Sequence, residues 1–469
     1  LFFYILLIFF ANQKQELEMR EDFPKADVKT LSRVHAADYI RFIHELDKQV
    51  NIDGRTVPFT PKVQKHVRHD DETKDQDDCD TSFSKGSLSA ARRAVGAVCF
   101  AIDRVLAGMN RNAFCCVRPP GHHAGLKGLI QGATSCGFCI FNNVAAGALH
   151  ALEEHKLMRV AIVDLDVHHG NGTQEIVMEH ASPDRIFFFS VHLYDHTPTP
   201  APSGRRSDSS SSSSSASQYE FYPGTGSRDR MEHNIVNAPL LPLWRRERGN
   251  NSANAQLGGD RKNGAKRRRT TRHYRRAGRT SFRATISERL IPALRAFSPQ
   301  LILLSSGFDG AHGDVGNNLK SSGRNNGTSG IDLTPADFYW ATQQIQEVAS
   351  ICCEGRIVSV LEGGYGRQQK RQNRLALDRK NFAKCVLSQI AALVDHRLPA
   401  ERISHDMRGD DMSDDDSSVM QNTRAGVGAS DSEVDSDDGS GSYRVTDEKE
   451  RPPPAVEVEV EVEVEVEVK

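Results

Sequence analysis

VAIVDLDVHHGNG, residues 160–172, decides how this chain of 469 residues is read. VAIVDLD (160–166) is a short, continuous apolar run that turns acidic only at its end, and a polar, Gly-containing loop follows at once. That pattern predicts a strand buried on both faces. Working outward, AFCCV (113–117), RIFFFSV (185–191), QLILLSS (300–306) and RIVSVL (356–361) have the same character. Between them lie helix-patterned segments at 88–106, 141–155, 284–297 and 334–353. Buried strands alternating with helices predict an α/β three-layer sandwich, a central mostly parallel sheet covered on both faces. Open sheets of this kind hold ligands beyond the carboxyl ends of their strands. Four of the five strands end in a reactive, Gly-containing loop there: RPPGHHAG (118–125), DLDVHHGNG (164–172), GFDGAHGD (307–314) and EGGYG (362–366).

Each loop carries chemistry. If the strand continues, the spacing by two puts Asp164, Asp166 and His168 on one face. Adding Asp309 offers two carboxylates and an imidazole to one ion, with Asp164 left in support. Three protein ligands and an open position suit a catalytic zinc. The competing reading makes Asp164 and Asp166 helix caps and gives His168 a backbone carbonyl, and DLDVH alone does not separate the two. His122 and His123, held in a turn by Pro119, Pro120 and Gly121, are suited to proton transfer near neutrality. Tyr365 has a phenol that can donate to a carbonyl oxygen as charge develops on it.

Nine cysteines lie mostly in apolar runs, as reduced, buried thiols do. The CxxC of Cys136 and Cys139 has no second CxxC to complete a zinc ribbon, which favours core packing over a metal or redox role.

The formal net charge of −2 hides two opposed blocks. Residues 244–283 carry 14 Lys or Arg against Glu247 and Asp260, a net of +12, and residues 402–469 carry 20 acids against 7 bases, a net of −13. Like-charge blocks read as solvated chain. The basic block and the Ser-rich stretch 199–219 are expected as loops inserted into one domain, 28–395, with a third loop at 316–330. Residues 396–469 are expected as a disordered acidic low-complexity tail. KRRRTTRHYRR (266–276) reads either as a nuclear-import signal or phosphate-binding patch, or as a solvated loop; the expected location is nucleus and/or cytoplasm. LFFYILLIFFA (1–11) falls short of the ~20 apolar residues of a membrane span. It lacks the marks of a signal peptide, so 1–27 is left unassigned, as a fragment or misplaced start, and no membrane association is expected.

RPPGHHAG, SCGFCIFNN, VDLDVHHGNGTQ, FYPGTG, SSGFDGAHGD and LEGGYG, in this order, resemble the zinc-dependent histone deacetylases, class II branch. The motifs span 113–366, with weaker similarity back to VHAADYI (34–40). The resemblance implies an arginase-like fold and one Zn²⁺ held by Asp166, His168 and Asp309. His123 becomes the general base, His122 its electrostatic support with Asp164 behind it, and Tyr365 the donor to the acetyl carbonyl. Asn171 stands behind the second histidine where class I members have Asp. Gly137, Phe138 and Tyr222 would line the channel for the lysine side chain, while Asp164 and Ser190 resemble a structural monovalent-cation site, usually K⁺. The family's first strand is not recognisable before residue 28.

The expected activity is hydrolysis of N6-acetyl-lysine in histones or other proteins, in chromatin and transcriptional repression. Acetylated histone tails and a corepressor complex are the expected partners, without sequence-specific DNA binding. The alternatives are an acetylpolyamine or small-amide amidohydrolase, and a weakly catalytic acyl-lysine-binding scaffold. Asp77, Asp78 and Asp80 fall in the loop where the channel rim would select between substrates.

Overall fold

The structure, a computed structural model, describes residues 6–11, 17–68, 81–130, 133, 135–180, 183–195, 221–245, 278–318, 329–371 and 374–394. The chain divides into two units, Leu1–Arg402 and Ile403–Lys469, and every described residue lies in the first. The Ser-rich stretch 199–219, the acidic tail 396–469 and the import-like segment 266–276 lie outside the described residues.

In chain order the strands are β1 (Leu6–Ala11), β2 (Leu17–Arg20), β3 (Val57–Pro58), β4 (Ser82–Phe83), β5 (Asn110–Cys116), β6 (Val160–Asp164), β7 (Ile186–Leu193), β8 (Ile235–Leu240), β9 (Leu301–Ser306), β10 (Ile357–Leu361), β11 (Arg367–Arg371) and β12 (Arg374–Asp378). β3 with β4, and β11 with β12, form two-stranded ribbons, while the other eight make one sheet in the order β2-β1-β5-β10-β9-β6-β7-β8. From β5 to β8 all pairings are parallel, so six strands deliver their carboxyl ends to one edge.

Alternate residues of the central strands enter two different cores. Val160, Ile162, Leu301, Leu303, Val358 and Val360 pack under helices Ala37–Asp53, Ser87–Leu106 and Asn143–Glu153. Ala161, Val163, Ile302, Leu304 and Ile357 face 278–297, Pro335–Cys352 and Lys380–Val394. Both faces are apolar because both are covered, which is why these strands read as unbroken hydrophobic runs. The expected three-layer architecture holds.

The structure departs from or adds to the sequence reading in four places. Residues 6–11 and 17–20 of the segment left unassigned join the sheet: β1 pairs antiparallel with β5, Ile8 opposite Phe114, and β2 extends the sheet beyond it. Glu18 of β2 accepts from Arg104 at 2.7 Å. A short apolar run carries no period that reveals a partner a hundred residues away. Second, β8 went unrecognised because Pro239 breaks its pattern; it is the terminal strand of the sheet, where a missing N–H is tolerated. Third, both ends of the supposed insertion 244–283 belong to the body. Trp244 and Arg245 donate to Asp195 at 2.9 and 2.6 Å. The helix over 278–297 brings Arg279 and Arg283 to the buried Asp337, at 2.6 and 2.8 Å. The loop at 316–330 likewise begins in the body, since buried Asn317 donates to the carbonyls of Asp309 and Ala311 at 2.6 and 2.9 Å.

Candidate active site

β5, β10, β9 and β6 are consecutive neighbours in the sheet, so the four reactive loops open side by side. The loop after β6 sends His168 back across the strand end, where its Nδ1 lies 3.0 Å from both Asp166 Oδ1 and Asp309 Oδ2. Asp166 and Asp309 are fully buried. Asp166 Oδ2 accepts from the Gly363 N–H at 2.8 Å, and Asp309 Oδ1 from the Val167 N–H at 3.1 Å. A Cβ at Gly363 would stand 2.3 Å from Asp309 Oδ2 and 2.5 Å from Asp166 Oδ2, so the backbone reaches the carboxylates only because this residue is glycine.

Asp309 Oδ2 has no hydrogen-bond partner despite its 3.0 Å contact with His168. One ring N–H serves one carboxylate, and Asp166 Oδ1 takes it. Two buried carboxylates and an imidazole aimed at one point leave negative charge that a single proton does not balance. Their ligand atoms lie within 4.8 Å of one another. The donor set fits a divalent cation with N/O preference and an open position.

The tandem histidines diverge. His122 Nδ1 lies 3.0 Å from Asp164 Oδ2, and His123 Nδ1 lies 2.8 Å from Asn171 Oδ1. Burial opposes charge on His122, but Asp164 and Asp166 outweigh it and raise its pKa to about 10. Burial also dominates at His123, and there the neighbouring His122 and His168 add to it, holding the imidazole well below its ordinary value. Asn171 Oδ1 also receives the Gly172 N–H at 3.1 Å, which fixes the amide as acceptor. His123 therefore carries its proton on Nδ1 and presents a bare Nε2. Burial, then the charges of Asp309 and Asp166, push the Tyr365 phenol well above its usual range, so it remains an O–H donor.

Aromatic rings surround these groups. Tyr222 lies edge-on to His123 with centroids 4.8 Å apart, and its hydroxyl donates to the Ser135 carbonyl at 2.9 Å. Phe138 lies 5.6 Å from the Tyr365 ring. Gly137 adopts φ +54°, and a Cβ there would meet His123 Cδ2 at 2.2 Å. Ser190 pairs in register with Asp164, and its Oγ lies 2.9 Å from His192 Nδ1.

Sequence reasoning missed the groups that hold this arrangement. Buried Glu362 accepts from the N–H groups of Gly121 and His122, at 2.7 and 3.2 Å, and from Ser305 Oγ at 2.8 Å. Asp314 Oδ2 accepts from the N–H groups of Tyr365 and Gly366, at 2.9 and 2.6 Å. Arg118 donates to the Glu362 carbonyl at 2.9 Å, and Phe221 stacks on His168 at 5.0 Å. Glu362 and Asp314 stood within quoted motifs, but no local pattern tells an inward-turned acid from a solvated one.

A parallel sheet with this carboxylate and imidazole cluster at its carboxyl edge defines an α/β protein with a candidate metal site beside groups suited to acid–base chemistry. Residues 7–377 match the Histone deacetylase domain family, and the chain belongs to that family. It is 34% identical over 384 residues to Type-2 histone deacetylase 2 of Dictyostelium discoideum, covering 79% of this chain and 18% of that protein. It is 32% identical over 327 residues to Histone deacetylase 6 of Caenorhabditis elegans (65% and 26%) and 32% identical over 291 residues to Polyamine deacetylase HDAC10 of Mus musculus (62% and 33%). The chain thus spans a minor part of these relatives' length. Among solved structures, the HDA15 HD domain superposes with a TM-score of 0.52 at 24% identity, covering 80% of this chain and 75% of that one, and supports the fold.

Proposed function

We propose that this chain is a class II-type zinc-dependent lysine deacetylase, hydrolysing N6-acetyl-lysine in histones or other proteins to lysine and acetate. The observation that carries the reading is the meeting of Asp166, His168 and Asp309 beside a histidine with a bare Nε2. Asp166, His168 and Asp309 would hold Zn²⁺, which supplies Lewis-acid stabilisation of developing negative charge. His123 Nε2 takes a proton from the attacking water and returns it to the leaving amine. His122, charged and anchored on Asp164, keeps His123 neutral until that transfer. Tyr365 donates its O–H to the carbonyl oxygen. Gly137, Phe138 and Tyr222 line the approach for the lysine methylenes. Asp164 and Ser190 are proposed to flank a K⁺ ion of structural role.

Purified protein given an acetyl-lysine peptide is expected to release acetate, and Tyr365→Phe to lower kcat by about 10²–10³-fold, the scale of one lost oxyanion donor. Normal turnover by His123→Ala would refute the mechanism. The likeness to a polyamine deacetylase keeps a small-amide substrate in the comparison, and Asp77, Asp78 and Asp80 lie outside the described residues. Faster turnover of acetylspermidine than of the peptide would favour it, whereas binding of acetyl-lysine without turnover would leave the scaffold reading. Nuclear and/or cytoplasmic location, chromatin association and corepressor partners are proposed on family grounds; a reporter fused to 244–283 that stayed cytoplasmic would remove the import role of that block. Among the described residues no helix is long and apolar enough to cross a membrane.

A further inference from the structure

A second cluster of metal-ligating side chains lies at the opposite edge of the sheet. Helix Ser87–Leu106 precedes β5 and helix Asn143–Glu153 precedes β6, so both helices end where the parallel strands begin. Asp103 is in the last turn of the first. His150 is in the last turn of the second, and His155 in the turn that follows it. His150 Nε2 and His155 Nε2 lie 2.6 and 2.7 Å from the same atom, Asp103 Oδ1. The two rings stand edge to face with centroids 5.5 Å apart. All three side chains retain solvent access, at 48% for Asp103, 13% for His150 and 29% for His155.

We propose that Asp103, His150 and His155 form a second divalent-metal site, of Zn²⁺ class, that clamps these two helices together independently of the active site. Two imidazoles and one carboxylate are a donor set suited to such ions, water completing the coordination. Ligand atoms about 2.0–2.1 Å from a tetrahedral ion are about 3.3 Å apart, so the present contacts must open by roughly 0.6 Å. The turn carrying His155 gives the room. Arg33 is the cation nearby: its Nη1 lies 3.4 Å from His150 Nδ1, and its other nitrogens pair with Glu153 at 2.8 Å and with Glu154. That arrangement places the His150 proton on Nε2, facing Asp103. Metal binding moves it to Nδ1, and Arg33, held by its two glutamates, releases the long contact. Binding is therefore weaker than at the buried cluster.

The site is independent of the deacetylase reading and is tested on the full chain with Zn²⁺ alone, by metal content after equilibrium dialysis and by thermal melts. Wild-type protein is expected to bind about one equivalent more than His155→Ala or Asp103→Asn. Beyond the first equivalent, which the active-site cluster takes, excess Zn²⁺ should raise its Tm by a further ~5 °C, and His155→Ala should lose that further rise. Asp309→Asn should lose a different equivalent and keep the second-site rise. His155→Ala should keep wild-type turnover of an acetyl-lysine peptide, which shows that it folds. Equal zinc content in wild type, His155→Ala and Asp103→Asn would overturn the proposal, as would a rise in Tm beyond the first equivalent of Zn²⁺ that survives both substitutions.

Discussion

Gly137→Ala isolates the placement of His123 from its chemistry. A Cβ at Gly137 would lie 2.2 Å from Cδ2 and 2.9 Å from Cγ of the His123 ring, where ordinary contact begins near 3.4 Å. The ring or the loop must yield by about 1.2 Å. The ring is held at Nδ1 by Asn171 and flanked by Tyr222, so part of the shift falls on Nε2. A misplacement of about 1 Å at a reacting group costs on the order of 10²-fold in rate, which is about 2.7 kcal/mol of barrier. Gly137 also has φ +54°, so alanine adds about 1–2 kcal/mol of backbone strain. Gly54→Ala separates the two effects: its φ is +63° and its Cβ would meet nothing within 4 Å. Steady-state deacetylation and urea melts of both variants make the comparison. Both should lose about 1–2 kcal/mol of stability, and only Gly137→Ala should lose about 10²-fold in kcat. A Gly137→Ala enzyme within threefold of wild type would refute the placement argument.

Glu362→Ala leaves the N–H groups of Gly121 and His122 without their buried acceptor, at about 1–3 kcal/mol for each unsatisfied group; a lowered Tm together with reduced kcat is expected, and unchanged kcat would remove Glu362 as a positioning residue. Stripping the metal with a chelator leaves two buried carboxylates sharing one imidazole, so Tm should fall by several degrees and recover on adding Zn²⁺; a melt indifferent to chelator would contradict the assigned ligands. His35 is buried, its Nδ1 2.8 Å from the Gly125 carbonyl and its Nε2 accepting from Asn142 N–H at 3.0 Å, and burial lowers its pKa to about 4. The unfolded chain therefore binds the proton first: stability present above pH ~6.5 is lost as pH falls towards 4, by up to about 3 kcal/mol. Urea melts from pH 7 to 4 should show a slope about one proton steeper in wild type than in His35→Gln, and parallel slopes would contradict this.

The fold class and the reactive loops were legible in the sequence because both are local. A continuous apolar run such as 160–163 states its own burial, and the acids and glycines after it state where the strand stops. The structure of segments 6–11, 235–240 and 278–283 was not legible for the same reason: each owes it to a distant partner, β5, β7 and Asp337 respectively. Charge in a block such as 244–283 is only a sum, and one buried carboxylate at Asp337 takes two of its arginines into the body.

The sequence by itself determined which side chains end each strand and hence what chemistry is available: paired histidines, a carboxylate and imidazole set, and a phenol. Only the tertiary structure decided that β10 and β9 insert between β5 and β6, bringing residues 122, 166, 309 and 365 to one edge. It also assigned partners, Asp164 to His122 and Asn171 to His123. Those partners make one imidazole a cation and its neighbour a neutral base. Proton affinity depends on burial and on charges a few ångströms away, and the order of residues along a chain does not encode those distances until the sheet closes.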